Sequence, residues 1–465
     1  MRLHTWTAAI TLALCLCKSA FAAGAPARPN ILFILTDDQR RGAIHALGCQ
    51  ELVTPNLDSL VQRGIAFDRA TIMGGNQGAV CVPSRAMIMT GRSLFHTAGK
   101  VDNHVLLPQC FRQNGYNTFI TGKWHNERTA VNRAFTQVRT VYFGGMGQAK
   151  KGAADGESVE ITVQDYDPAG KYPPAQAKAT DRDATEVIAD SAVDFISSYK
   201  DDKPFFLYMA TTAPHDPRIA PKKFRDLYDP ARLPLPPNFL PQHPFDNGEL
   251  KVRDEMLAGF PRQPDEIRKH IADYYACISW LDRNVGRVLD ALKKSGRFDN
   301  TIIIFAGDNG LALGQHGLMG KQSVYEHSIG VPLLFSGPGI PAGKRSDALC
   351  YLMDIFATTC DLAGLAKPEG LESQSLLPVI RGEKPTVRDE LFFAYRNFQR
   401  AVETPDTKLI EYYVGKERRT QLFDLKTDPW EMKNLADSPD RAADLAKLRQ
   451  RLATLRKQLD DPMAK

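Results

Sequence analysis

The segment CVPSRAMIMTGR, Cys81 to Arg92, sets a sulfur nucleophile and a fixed cation on one short stretch of chain. Pro83 suits a first helical turn, where its missing N–H is no loss, the run to Thr90 favours helix, and Gly91 is the residue expected just past the end. Cys81 then lies at the positive end of a helix, whose free N–H groups and aligned dipoles attract anions, and Arg85 one turn on adds a permanent charge. Taken alone, the pattern also fits a structural cysteine ahead of an ordinary helix. Asp37, Asp38, Asp308 and Asn309 stand in the strings TDDQ and GDNG. They offer oxygen donors only, which suits a hard divalent cation such as calcium or magnesium rather than zinc. Lys123 and His125 alternate in GKWH, so an extended chain projects both to one side and sets a cation and a proton donor near one bound oxygen. His215 in APH and Lys321 in GKQS add another of each. Rival motifs fail: GLMGKQS lacks the first glycine and the Ser/Thr of a phosphate loop, and GGMGQAK lacks the last glycine of a dinucleotide fingerprint.

Four apolar, β-rich runs must carry these residues, because each ends in one of the polar clusters. NILFILT (30–36) runs into Asp37-Asp38, NTFIT (117–121) into Gly122-Lys123-Trp124-His125, PFFLYMATT (204–212) into Pro214-His215, and TIIIFA (301–306) into Gly307-Asp308-Asn309. Continuous apolar runs are what strands buried on both faces look like. Helical patterns at 54–64, 181–200 and 274–294 alternate with them. The pattern predicts an α/β fold: a doubly wound, mostly parallel central sheet with helices on both faces, where ligands bind beyond the carboxyl ends of the strands. A further strand is expected within 330–340. The Pro- and Asp-rich stretch 221–263 reads as a long excursion that walls the cleft. Past Gly370 come short strands, LFFAYR and KLIEYYV, and a closing helix with Leu445, Leu448, Leu452, Leu455 and Leu459 at heptad spacing. Two heptads are too few for a coiled coil, so this helix is expected to pack on a smaller α+β unit, 371–465, behind a catalytic domain, 23–370.

The chain has 465 residues, 43% hydrophobic and 24% charged, an ordinary globular balance. Residues 1–22 combine a basic start, a short apolar run and an Ala-Phe-Ala ending, which reads as a signal peptide and predicts a periplasmic or secreted protein. Its removal takes Arg2 and Lys18, lowering the formal charge from +5 to +3. No Lys/Arg run interleaved with aromatics argues for nucleic acid, and no stretch of 18 apolar residues argues for a membrane span. Cys49, Cys81, Cys110, Cys277, Cys350 and Cys360 remain, without metal-site spacing; Cys350 with Cys360 is the expected bridge.

The string Cys-x-Pro-Ser-Arg followed by Thr90-Gly91-Arg92 resembles the signature of the type I sulfatases of the alkaline phosphatase superfamily, in which that cysteine becomes formylglycine. NILFILTDDQ, GYNTFITGKWH, TAPH, GDNG and GKQSVYEH stand in the order seen in that family, and TDPWEMKNLA resembles its C-terminal domain. The resemblance implies that Asp37, Asp38, Asp308 and Asn309 hold calcium together with the modified Cys81, calcium being favoured over magnesium. It implies that Arg85 steadies the formylglycine hydrate, Lys123 and Lys321 bind sulfate oxygens, His215 protonates the leaving group and His125 helps the intermediate collapse. The implied partners are a formylglycine-generating maturation enzyme and a sulfated saccharide or small molecule. A short sulfated sugar chain end is the expected substrate, with Arg40, Arg41, His104, Arg218 and His316 as groups for its hydroxyls and carboxylates. One departure is Asn126, where many carbohydrate sulfatases have Gly. Choline or aryl sulfate, a phosphonate or phosphodiester, and a catalytically silent glycan-binding protein are the alternatives.

Overall fold

Each of the four apolar runs becomes a strand with almost no exposed residue. In the computed structural model, which describes residues 28–153 and 156–464, they occupy Asn30–Thr36, Asn117–Lys123, Phe205–Ala210 and Thr301–Gly307. Alternation splits Asn30–Thr36 between two cores: Ile31, Phe33 and Leu35 enter one, Leu32 and Ile34 the other. The first face also buries Ala86, Met87, Ile88 and Met89 of the helix Cys81–Thr90. The second is covered by the helices Pro55–Arg63, Ala184–Ser198 and Pro264–Lys294. Burial of each such large apolar side chain contributes about 1.5–3 kcal/mol.

The sheet has ten strands in the order Lys178–Ala179, Thr162–Gln164, Gln137–Tyr142, Asn117–Lys123, Phe205–Ala210, Asn30–Thr36, Thr301–Gly307, Leu333–Ser336, Gly64–Phe67 and Lys344–Ser346. Its centre, from Gln137–Tyr142 to Thr301–Gly307, is parallel throughout. Leu333–Ser336 runs antiparallel to both of its neighbours, and Thr162–Gln164 likewise. The mostly parallel α/β sheet read from the sequence is the one observed. The helix expected from Tyr274 begins instead at Pro264, whose fixed φ suits the first turn beside Asp265 and Glu266. Its polar opening, PDEIRKH, carries too few apolar residues to show a period.

Residues 221–263 form an irregular excursion with only short helical turns at Lys222–Arg225, Pro230–Arg232 and Glu255–Leu257. The C-terminal strands are Leu391–Tyr395, Gln399–Glu403, Thr407–Val414 and Glu417–Asp424, and Gly74–Gly75 from the front of the chain joins them as a fifth. The closing helix Ala442–Gln458 buries Leu448 and Leu452 against this sheet, with Leu445, Leu455 and Leu459 half-buried. The hydrophobic core continues without a break from the large sheet into the small one. Every cysteine among the described residues is free, so the expected Cys350–Cys360 bridge is corrected. The helix Asp354–Leu362 begins just after Cys350 and carries Cys360 to Cys110 instead, with the sulfurs 3.9 Å apart. The signal-peptide reading of residues 1–22 lies outside the described residues. Among those described, no helix is long and apolar enough to cross a membrane.

Candidate active site

Four strands that are neighbours in the sheet deliver their polar ends to one edge. Asp37 and Asp38 follow Asn30–Thr36, Lys123 closes Asn117–Lys123, His215 follows Phe205–Ala210, and Asp308 and Asn309 follow Thr301–Gly307. The helix Cys81–Thr90 starts at the expected residue and ends at Gly91, whose φ is 64° and whose N–H donates to the Met87 carbonyl. Cys81 Sγ lies 3.3 Å from His125 Nδ1 and 3.8 Å from Lys123 Nζ. Two backbone devices bring those side chains together: Gly122, at φ 90°, sits where the pairing with Gln137–Tyr142 shifts register, and His125 has φ 57°. Lys123 Nζ also donates to the Asp37 carboxylate and, at 2.5 Å, to the Gly145 carbonyl.

Arg85 faces inward from the helix rather than toward solvent. Its Nε donates to Asp308 Oδ2 at 2.8 Å and its Nη1 to the Lys123 carbonyl at 2.7 Å. Lys321 Nζ and Asn309 Nδ2 reach the same Asp38 oxygen at 2.6 and 2.7 Å. His215 Nε2 is 3.6 Å from the other Asp38 oxygen, and its Nδ1 is 2.8 Å from the Asp216 carbonyl. Donor atoms of Asp37, Cys81 and Asp308, and of Asp37, Asp38 and His215, lie within 4.8 Å of one another. Asp37 Oδ1 and Asn309 Oδ1 are shut from solvent without a hydrogen-bond donor. Such an orphan costs roughly 1–3 kcal/mol. A hard cation would satisfy both oxygens, so the residues present fit a divalent ion.

Burial and neighbouring charge set the protonation of the site. Burial, reinforced by Asp37, lifts the Asp308 carboxyl to about 6 against the pull of Arg85. At Asp38 burial acts in the same sense, but His215 and Lys321 outweigh it and hold the carboxyl below the usual range. Burial pushes the Cys81 thiol up to about 11 although Lys123 and Lys321 oppose it. Burial, then Lys123 and Arg85, drives the His125 ring well below its ordinary value. Burial brings His215 down to about 4, with Asp38 opposing.

The cleft over Cys81, of about 290 Å³, is lined by His125, His215 and Lys321 together with Arg253, Asp254 and Gln322. Those last three were not singled out from sequence. Arg253 and Asp254 belong to the excursion expected to wall the cleft, and a charged doublet inside that stretch was the available signal. Arg253 pairs through both terminal nitrogens with Asp216, and Gln322 Nε2 donates to Asp254 Oδ2 at 2.7 Å. Arg40, Arg218, His104 and His316 are not among the residues that line this cleft. Arg40 donates its backbone N–H to the Tyr274 hydroxyl at 3.0 Å and turns into a separate cavity of about 500 Å³, which Arg41 also lines. Arg218 lies over the Tyr274 ring, 5.9 Å from its centroid. His104 is half-buried and feels Arg92 and Arg133. His316 stacks on Tyr325 with ring centroids 4.1 Å apart, in a third cavity.

The Sulfatase family model matches residues 29–365. The chain belongs to the sulfatase family. This sulfatase is a sulfuric ester hydrolase of the alkaline phosphatase superfamily, and a second model, N-sulphoglucosamine sulphohydrolase C-terminal, matches its residues 314–458. It is 28% identical to the N-acetylglucosamine-6-O-sulfatase of Bacteroides thetaiotaomicron over 93% of its own chain and 87% of that relative. It is 29% identical to the choline-sulfatase of Rhizobium meliloti over 90% of its chain and 85% of that one. A structure solved in complex with its substrate D-glucosamine-2-N,6-O-disulfate superposes with a TM-score of 0.75 at 24% identity, covering 93% of the sulfatase and 98% of that chain.

Proposed function

We propose that the sulfatase is an exported hydrolase of carbohydrate sulfate esters, and that its nucleophile is residue 81 after a maturation enzyme converts the Cys81 side chain to formylglycine. The observation that carries this reading is the placement of Cys81 Sγ at a helix start, 3.8 Å from Lys123 Nζ and 3.3 Å from His125 Nδ1, among three buried carboxylates. Conversion replaces the one soft donor by oxygen, leaving Asp37, Asp38, Asp308, Asn309 and residue 81 as an all-oxygen set suited to calcium, with magnesium less favoured. Calcium held there supplies positive charge that offsets the carboxylates and attracts a sulfate oxygen. As an aldehyde hydrate, residue 81 offers one hydroxyl to attack sulfur and a second whose deprotonation expels sulfate.

Lys123 and Lys321 flank that position and bind the sulfate oxygens, while Arg85 holds Asp308 and the Lys123 backbone in register. His215 donates its Nδ1–H to the Asp216 carbonyl, so Nε2 is the atom that delivers a proton to the leaving alkoxide, and it does so only from the doubly protonated ring. Asp38, 3.6 Å away, favours the protonated ring. His125 Nδ1 is placed to take the proton from residue 81 that starts collapse. Arg253, Asp254 and Gln322 offer both donors and acceptors for sugar hydroxyls. Among the described residues no Phe, Tyr or Trp lines the cleft, so they offer a quaternary ammonium no aromatic cage. The named N-acetylglucosamine-6-O-sulfatase relative supports the same substrate class.

Cys81→Ala should abolish turnover of 4-nitrophenyl sulfate and of N-acetylglucosamine 6-sulfate while the circular dichroism spectrum stays that of the parent. Mass spectrometry of the peptide spanning residue 81 should find an aldehyde in place of the thiol. Full turnover by the alanine variant would sink the nucleophile assignment. Hydrolysis of choline sulfate with none of any sulfated sugar would sink the substrate class.

A further inference from the structure

The cavity beside His316, of about 570 Å³, lies between His243 and Phe245 of the excursion, His316 and Tyr325 of the loop after Asn309, and Arg418 and Arg419 of the C-terminal hairpin. It shares no lining residue with the cleft over Cys81. His243 is 3% exposed. Its Nδ1–H donates to the His316 carbonyl at 2.9 Å, which leaves Nε2 as a bare acceptor, and that atom has no partner. Burial keeps the ring neutral, bringing its pKa down to about 4. A buried lone acceptor is satisfied by a hydroxyl or N–H donor and not by a bare anion.

The opposite wall carries Arg418 and Arg419 together with two carboxylates, Glu431, which Lys408 neutralises, and Asp437. Arg418 enters no salt bridge among the described residues, and the one acidic partner of Arg419 is its near neighbour Glu417, at 3.3 Å. Arg419 also lies over the Phe245 ring, 5.2 Å from its centroid, and the His243 and Phe245 rings meet edge-on at 4.6 Å. A lone acceptor at the base, two guanidinium groups, carboxylates that accept from hydroxyls and an aromatic side wall together match a pyranose ring bearing an anionic group.

We propose that this cleft is a second saccharide-binding site, which takes an anionic sugar residue of the substrate chain while another residue occupies the cleft over Cys81. It rests on the carbohydrate reading above. A chain held at two points gains avidity that a small ester cannot use, so the two kinds of substrate should respond differently to its loss.

The test uses the full chain and the exposed rim residues. Calorimetric titration of Cys81→Ala protein with N-acetylglucosamine 6-sulfate should show two sites, and the same protein carrying Arg418→Ala and Arg419→Ala only one. In the active enzyme that double substitution should lower kcat/KM on heparin by roughly tenfold and leave 4-nitrophenyl sulfate turnover unchanged. His243→Phe, which keeps a ring but removes the acceptor, should weaken the second site without disturbing the first. One site in both calorimetric backgrounds overturns the proposal, as does inorganic sulfate binding to the second site as tightly as the sugar. Two sites in a protein that hydrolyses no sulfated sugar would support the cleft and refute the catalytic reading alone.

Discussion

Arg85 and Asp308 pair at 2.8 Å with both side chains fully buried, and that pair is the pivot between the Cys81 helix and the carboxylates. Asp308→Asn keeps an oxygen for Arg85 but removes the charge, so the guanidinium loses its counter-ion and the cation set proposed above loses a carboxylate. Breaking a buried pair costs about 3–5 kcal/mol, and retention of the hydrogen bond should hold this variant near the lower end. We expect a lowered urea midpoint, metal content well below the parent by atomic emission, and a turnover loss of roughly a hundredfold or more. Undiminished metal content would refute the ligand assignment. Residue types and their strand-end positions made this inner group readable: Asp37, Asp38, Cys81, Lys123, His125, His215, Asp308 and Lys321 all converge. Arg40 and His316 were not readable in the same way, because their directions depend on Tyr274 and Asn238, partners far off in sequence that accept their backbone N–H groups.

The strand Asn117–Lys123 shows how an element aims a side chain. Gly122 has φ 90°, and a Cβ added there would lie 1.8 Å from the Ala210 carbonyl oxygen of the neighbouring strand. Gly122→Ala must therefore either flip the local backbone or part the two strands, moving Lys123 away from Cys81 in both cases. The expected result is a loss of about 3 kcal/mol or more in urea unfolding, with turnover reduced even in the folded fraction. A parent-like midpoint would show that the bulge is not required. The apolar run stops at Thr121, whereas pairing carries the strand on to Lys123. The apolar central strands were legible because burial on both faces leaves an unbroken hydrophobic run. Gln399–Glu403 and Glu417–Asp424 were not, since charged residues occupy them. Arg400 is buried by its two bonds to Asp461, at 2.7 and 2.8 Å, and Glu403 by Arg69. Those partners are tertiary and leave no local period.

The two sheets are joined by charge as well as by the continuous apolar core. Lys408, with its side chain wholly buried in the small sheet, lies 2.8 Å from Glu326, 2.9 Å from Glu431 and 3.9 Å from Glu403. Arg41, two residues past Gln39, and Arg69 complete the group by pairing with Glu326 and Glu403, each at 2.5 Å. Three cations thus meet three carboxylates, and Glu326 lies five residues beyond Lys321, so the cluster braces the loop that carries Lys321. Lys408→Met leaves three carboxylates, two of them buried, to two cations. We expect a cost of about 3–5 kcal/mol, read as a lowered calorimetric midpoint. The sharper test is a cycle with Glu431→Gln. If the carboxylates repel once Lys408 is gone, removing one of them should restore part of the loss, and the two substitutions together should cost less than their separate effects combined by about 1 kcal/mol or more. Simple additivity would mean that Lys408 contributes through its packed methylenes and not through its charge.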